Sequence, residues 1–213
     1  MQKKISKSTK HRLLLLLQLL ENWKKNHITS KEIARLLGIK DSLVRYDFSV
    51  LNIPNGHRGF KNGYEVLTLK SDIKNSLKIA FEIPSNENHC NINRRKVCVV
   101  GLGRLGIAFL DNSIFEKTDF EICAGFDSSL NRVELIRSTF ELFPASKIET
   151  VCKEKKIEYA LLCCSENEVQ KMVERLVSAG LKGIVNYTNA VFEVPCGIKV
   201  QNVSPAVVLG MVE

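Results

Sequence analysis

The sequence predicts an α/β chain in two parts, an N-terminal winged helix-turn-helix followed by a doubly wound parallel sheet. Three observations predict it. Charge is unevenly spread: the 213 residues carry a net +8, and residues 1–90 hold 16 Lys and Arg against 8 Asp and Glu, whereas residues 91–213 hold 15 of each. Two short helical patterns meet at Gly38 and run into a glycine-rich hairpin pattern. Further on, an apolar strand pattern leads straight into Gly101-Leu102-Gly103-Arg104-Leu105-Gly106, and strand and helix patterns then alternate. A basic front beside a neutral rear points to a polyanion partner for the front. Hydrophobic content of 45% and charged content of 25% exclude a disordered or fibrous chain.

Residues 9–24 read as a helix, because Leu13, Leu16, Leu17 and Leu20 recur at i, i+3, i+4 and i+7. Leu14, Leu15 and Leu19 widen the apolar face, so this helix is expected to pack on more than one neighbour. Thr29 or Ser30 caps the next helix, with Glu32 in its first turn and Ile33, Ala34, Leu36 and Leu37 as its buried stripe. Gly38 stops it by accepting a left-handed conformation. Asp41 or Ser42 is expected to cap a second helix over residues 42–51.

Two helices joined by a glycine turn, inside the basic segment, place this second helix in a DNA major groove. Leu43, Val44, Phe48 and Leu51 hold it to the core, while Ser42, Arg45, Tyr46 and Ser49 face outward. Arg45 is suited to read guanine O6 and N7 through two parallel hydrogen bonds; the plain alternative is a solvated arginine or one paired with Asp47. Ser30 and Lys31 complete the expected DNA-facing set on the first helix. Residues 54–66 contain three glycines and two Asn-Gly pairs, the mark of a hairpin with tight turns. A hairpin after a recognition helix is a wing, with His57, Arg58 and Lys61 at its tip for phosphate or minor-groove contact. Residues 67–81 read as an amphipathic helix. The polar, Asn-rich stretch that follows separates a DNA-binding domain over 1–82 from a second domain over 96–213, with 83–95 as linker.

Lys96-Val97-Cys98-Val99-Val100 reads as a buried strand, and the glycine motif after it opens a helix at Ile107. That setting gives the motif its mechanism. The first glycine makes the turn, the second lets backbone approach a pyrophosphate, and the third packs helix on strand. The strand Phe120–Phe126 ends in Asp127, 21 residues after Gly106. A carboxylate there accepts from a ribose 2′-hydroxyl and repels a 2′-phosphate, so NAD(H) is favoured over NADP(H), with Arg132 as the opposing signal. Asp127 also reads as a helix cap after the strand, and one residue can do both. Strands over 157–164, 183–186 and 198–203, and a helix over 166–179 stopped by Gly180, complete a Rossmann-type sheet. Cys164, Ser165, Asn186 and Tyr187 then fall at strand ends beside the cofactor, or are plain loop.

Seven cysteines, an odd number with no C-x-x-C spacing, read as reduced cytosolic thiols. Residues 13–20 behind a Lys-rich start imitate a signal peptide but lack a small-residue cleavage site, and no apolar run nears the roughly 18 residues of a membrane span. A cytoplasmic protein is expected. All four histidines precede residue 90, so the rear domain has none for acid–base work on a nicotinamide. No P-loop and no metal-ligand spacing occurs.

Taken in order along the chain, these segments resemble the Rex family of redox-sensing transcriptional repressors. The resemblance is carried by Ser30 to Leu51 with Val44-Arg45-x-Asp47, by Gly56-x-Arg58-Gly59 with Gly63-Tyr64, and by the glycine motif. Phe126-Asp127, Ala160-Leu161-Leu162, Ala179 to Asn186 and Val194-Pro195 extend it over nearly the whole chain. It implies a homodimer that binds operator DNA when NADH is scarce and releases it when NADH fills the Rossmann domain. Departures are local. Tyr46 stands where the family generally has Lys, and the wing is two residues longer. Gln18, Asn112 and Ser204 or Pro205 align with an Arg-Tyr-Asp set that couples cofactor to domain rotation, and the segment ending at Glu213 is shorter than the family's swapped C-terminal helix. Two other readings stay open from the residues: a small NAD-dependent oxidoreductase with a basic appendage, and a DNA-binding paralogue whose pocket holds another adenine nucleotide or CoA.

Overall fold

The computed structural model describes residues 5–53, 63–77, 94–115 and 118–210. The chain divides into two compact units, Met1–Phe81 and Glu82–Glu213.

In the first unit, α1 (Lys7–Glu21) starts behind Ser6, whose side chain accepts from the Thr9 N–H at 3.1 Å. Leu13, Leu16, Leu17 and Leu20 are buried, as their spacing requires. At ~1.5–3 kcal/mol for each fully buried side chain, this stripe is a substantial part of the unit's apolar burial. The helix packs on two neighbours, α2 and α4, as its wide apolar face predicts, while Leu14 and Leu15 lie on the outer face at 40% and 37% exposure. The helix also ends three residues earlier than its pattern suggests, because the chain turns at Asn22 and Trp23 Nε1 donates to the His27 carbonyl at 3.1 Å.

A two-residue strand, β1 (His27–Ile28), precedes α2 (Ser30–Leu37) and α3 (Asp41–Val50). Thr29 and Glu32 form a reciprocal capping box on α2: the Thr29 hydroxyl accepts from the Glu32 N–H at 3.2 Å, and Glu32 accepts from the Thr29 N–H at 2.8 Å. Those bonds hold the Glu32 carboxyl below its ordinary pKa. Gly38 takes the left-handed turn between the helices at φ 64°. The expected cap on α3 is corrected. Lys40 occupies the cap position without a side-chain bond, and Asp41 sits one step inside, pairing with Arg45 at 2.7 Å. β2 (Tyr64–Glu65) pairs antiparallel with β1 and runs into α4 (Val66–Leu77). Residues 54–62, with His57, Arg58 and Lys61 of the expected wing, lie outside the described residues, as does most of the expected linker with Cys90. Ile28, Ile33, Val44, Phe48, Leu69 and Ile73 join the α1 leucines in one core. The Tyr64 ring meets Phe48 edge-on at 5.1 Å and ties β2 to α3.

The second unit is a six-stranded parallel sheet in the order β5-β4-β3-β6-β7-β8. Its strands are β3 (Arg95–Val100), β4 (Phe120–Asp127), β5 (Leu142–Pro144), β6 (Tyr159–Leu162), β7 (Gly183–Asn186) and β8 (Lys199–Asn202). The helices are α5 (Arg104–Ala108), α6 (Leu130–Leu135), α7 (Ile148–Lys155), α8 (Val169–Ser178) and α9 (Pro205–Leu209). Along β3, Val97 and Val99 enter one core and Cys98 and Val100 the other, so the sheet is buried on both faces. The chain steps outward from β3 through β4 to β5, then returns to the other side of β3 for β6. That reversal opens a crevice outside the carboxyl ends of β3 and β6. Residues 128–156 supply α6, β5 and α7. Among the described residues no helix is long and apolar enough to cross a membrane, and the six described cysteines are unpaired by disulfides.

Candidate functional site

The glycine motif sits at the crevice, and its three glycines meet three different surroundings. Gly101 leaves β3 at φ 95°, and a Cβ on it would lie 2.4 Å from the Cys164 backbone nitrogen. A Cβ on Gly106 would lie 1.8 Å from the Gly101 carbonyl oxygen, so the start of α5 rests directly on the turn. A Cβ on Gly103 would meet nothing within 4 Å. Two glycines are therefore demanded by packing, and the middle one borders open space. That is the division of labour a dinucleotide-binding turn needs, with backbone bared to a pyrophosphate at its second glycine.

Asp127 ends β4 beside this turn and is 3% exposed. Its Oδ2 accepts from the Leu102 N–H at 2.6 Å, and its Oδ1 accepts from the Ser129 N–H at 2.7 Å. The carboxylate thus straps the glycine turn to the end of β4. The cap position of α6 belongs to Ser129, two residues on. Arg132 Nη1 approaches Asp127 Oδ2 at 3.4 Å.

A cavity of about 390 Å³ occupies the crevice. Of the expected cofactor residues, Gly101, Gly103, Asp127, Cys164 and Ser165 line it, joined by Ser128, Ser129 and Arg132 from the β4–α6 connection. Leu102 is buried in the core below, Gly106 lies beneath the turn, and Arg104 and Leu105 point to the exposed side of α5. Asn186 and Tyr187 do not line the cavity. Asn186 is 1% exposed and spends its amide inside the fold: Nδ2 donates to Asn202 Oδ1 at 2.9 Å and to the Ala190 carbonyl at 3.2 Å. Its Oδ1 accepts from the Thr188 N–H and hydroxyl at 3.0 and 2.7 Å. The Tyr187 ring packs on Phe109 at 5.1 Å. Burial pushes the Cys163 thiol up to about 12 and the Cys164 thiol up to about 11. Both are neutral near pH 7, which removes them as nucleophiles. Among the described residues no cluster of three or more His, Cys, Asp or Glu could hold a metal ion.

The second candidate surface is the outer face of α3. Ser42, Arg45, Tyr46 and Ser49 are all exposed, on the side opposite Val44 and Phe48. Arg45 pairs with Asp41, not with Asp47, and stays 60% exposed with its side chain in reach of solvent. On α2, Lys31 is exposed and Ser30 half-buried. Behind α3 lies a group that pattern reading missed. Asp47 is 2% exposed and accepts a two-pronged contact from Arg12, Nε to Oδ2 and Nη2 to Oδ1, both at 2.7 Å. Thr9 Oγ1 donates to Asp47 Oδ1 at 3.0 Å. The hydrogen bond to Asp47 raises the Arg12 pKa. A signal was present: an acid on the same helical face as Val44 and Phe48 requires a buried partner.

Comparison with known proteins bears on both surfaces. Residues 4–49 match a family described as putative DNA-binding protein N-terminus, and residues 92–190 match the CoA binding domain family. The chain is 32% identical over 177 residues to the redox-sensing transcriptional repressor Rex of Clostridioides difficile (strain 630), covering 83% of this chain and 77% of that protein. Among solved structures it is similar to RSP in complex with β-NADH, at TM-score 0.78 and 25% identity over 98% of this chain and 92% of that one. It shares the fold of RSP in complex with β-NAD+ and operator DNA, at TM-score 0.77 and 24% identity over 99% of this chain and 91% of that one.

Proposed function

The chain belongs to the Rex family of redox-sensing transcriptional repressors, and on that premise we propose how its two units divide the work. The protein is an NAD(H)-responsive repressor, not an enzyme. Residues 1–82 bind operator DNA, residues 96–213 bind the dinucleotide, and 83–95 join them. The observation that carries this reading is the glycine turn. A Cβ on Gly101 or Gly106 would run into backbone at 2.4 and 1.8 Å, while one on Gly103 would meet nothing within 4 Å. A nicotinamide dinucleotide fits there, with Gly101 to Gly106 holding its pyrophosphate and Asp127 at its ribose. When bound it supplies a reporter of the cell's NADH to NAD+ ratio, with no chemistry on the protein.

Ser42, Arg45, Tyr46 and Ser49 enter the major groove, and Ser30 and Lys31 hold the flanking phosphates. His57, Arg58 and Lys61 of the wing add contacts beside them. A homodimer presents two such helices to two half-sites about one helical turn apart. NADH favours a domain orientation that no longer matches that spacing, so its binding lowers the DNA-competent population. Reversing a mostly bound state requires roughly 5 kcal/mol of differential affinity. The residues aligned with the family's coupling set are Gln18, exposed on α1, Asn112, at the start of a short 3-10 turn, and Ser204, which caps α9. The protein acts in the cytoplasm, where DNA and the NADH pool meet.

The test is operator affinity, titrated with NADH and with NAD+. Release by NADH alone is the expected result. Tight binding indifferent to both would show a DNA-binding paralogue without the switch, and no operator binding would overturn the reading.

A further inference from the structure

Asp127 occupies the position from which an acid favours a free ribose 2′-hydroxyl over a 2′-phosphate. A bare carboxylate does this by accepting from the hydroxyl and repelling the phosphate. Here the carboxylate is not bare. Oδ2 takes the Leu102 N–H at 2.6 Å and lies 3.4 Å from Arg132 Nη1, and Oδ1 takes the Ser129 N–H at 2.7 Å. Of about four lone-pair positions on a carboxylate, three are committed. The Asp127 side chain is 2% exposed, whereas that of Arg132 is 56% exposed and lines the cavity. Among the described residues, the Arg132 guanidinium makes a single ion pair, to Asp127. Of its five N–H donors, one on Nη1 is spent on Asp127. Ser128 and Ser129 line the same end of the cavity with small polar side chains.

The β4–α6 side of the cleft thus presents an exposed guanidinium and two serines, in a cavity that Glu168 also lines, with the Asp127 carboxylate behind them held by Arg132 and two backbone N–H groups. A guanidinium is the group best shaped to hold a phosphate through two parallel bonds. We propose that Arg132, with Ser128 and Ser129, forms a subsite for the 2′-phosphate of an adenosine ribose, so that the effector class includes NADPH as well as NADH. This rests on the dinucleotide reading of the cleft. Arg132, not Asp127, is then the specificity-determining residue.

The test is calorimetric titration of the full-length protein with NADH and NADPH, and with the adenosine-end fragments AMP and adenosine 2′,5′-bisphosphate. NADPH should bind within about tenfold of NADH. R132A should weaken NADPH and the bisphosphate by about ten- to a hundredfold more than it weakens NADH and AMP, the worth of hydrogen bonds to a charged group. R132K, which keeps the charge, should recover part of the loss. Rejection of NADPH by a wild-type protein that binds NADH overturns the subsite and leaves the repressor reading intact. Unchanged selectivity in R132A does the same. Coenzyme A carries its ribose phosphate on the 3′ oxygen; binding as tight as that of NADPH would overturn the 2′ assignment. Failure of both dinucleotides to bind overturns the cleft reading and the subsite together.

Discussion

Asp47 shows how a side chain can be decisive and its burial legible from helical spacing while its partner is not. It follows Arg45 and Tyr46, which face solvent, but turns inward beside Phe48 at 2% exposure. Its cost of burial is met by the Arg12 fork at 2.7 Å and the Thr9 hydroxyl at 3.0 Å. Those contacts join α1 to α3 and set the angle at which α3 shows its outer face. Removing the acid strands a partly buried guanidinium. Breaking a fully buried pair costs roughly 3–5 kcal/mol, and the 18% exposure of the Arg12 side chain lowers that figure. Asp47→Ala should therefore lose about 2–3 kcal/mol of folding stability in urea denaturation. A loss near zero would show that the contact does not hold α3. Asp127 teaches a related lesson in the second unit. Its position after the strand marked it as a ribose acid, but the two backbone N–H groups and the guanidinium on it come from the fold.

At the scale of elements, the glycine turn separates two roles that a motif string cannot distinguish. Gly103 has an extended backbone at φ −76° and open space where a Cβ would go. Gly103→Ala should leave the melting temperature close to that of the wild type and weaken dinucleotide binding, because the added methyl occupies the ligand's approach. Gly106→Ala should destabilise the whole second unit, since the added carbon meets the Gly101 carbonyl at 1.8 Å. Thermal melts and NADH titrations of the two variants check the pair; equal melts would remove the distinction. Elements with a clear period were legible in advance. The α1 leucines were, and so was α8, which buries Val169, Met172, Val173 and Leu176. The strand β5 was not, because three residues, Leu142-Phe143-Pro144, are too few to show a period. Leu14 and Leu15 show the converse: a run of leucines is apolar all round, and only the neighbours, here α2 and α4, decide which face is covered.

At the scale of the molecule, the net +8 lies wholly in residues 1–90, the part that carries α2 and α3. Affinity for DNA should therefore fall steeply with salt, by the release of counterions from phosphates. Arg45→Ala should cost about 1–3 kcal/mol of operator binding and relax specificity at one base position. Lys31→Ala should instead weaken all sequences alike and reduce the salt slope by about one. Fluorescence anisotropy on operator and scrambled duplexes separates the two; an Arg45 variant that weakens both equally would place that side chain on phosphate.

The sequence by itself determined the class of each half, the outward set Ser42, Arg45, Tyr46 and Ser49, and the strand–glycine–helix order that makes the crevice. All of these follow from local rules: helical and strand periods, capping chemistry and the backbone freedom of glycine act over a few residues. Tertiary structure alone decided which charges meet, Arg12 with Asp47 and Arg132 with Asp127, and which strand-end residues line the cavity. Asn186 is spent on its own loop and on Asn202 of β8, while Ser128 and Ser129 line the cleft. The Arg12–Asp47 contact joins groups 35 positions apart, and a period of 2 or 3.6 residues carries no information about such a partner; at Asp127 and Asn186 the neighbours are local, but which way each side chain turns is set by packing.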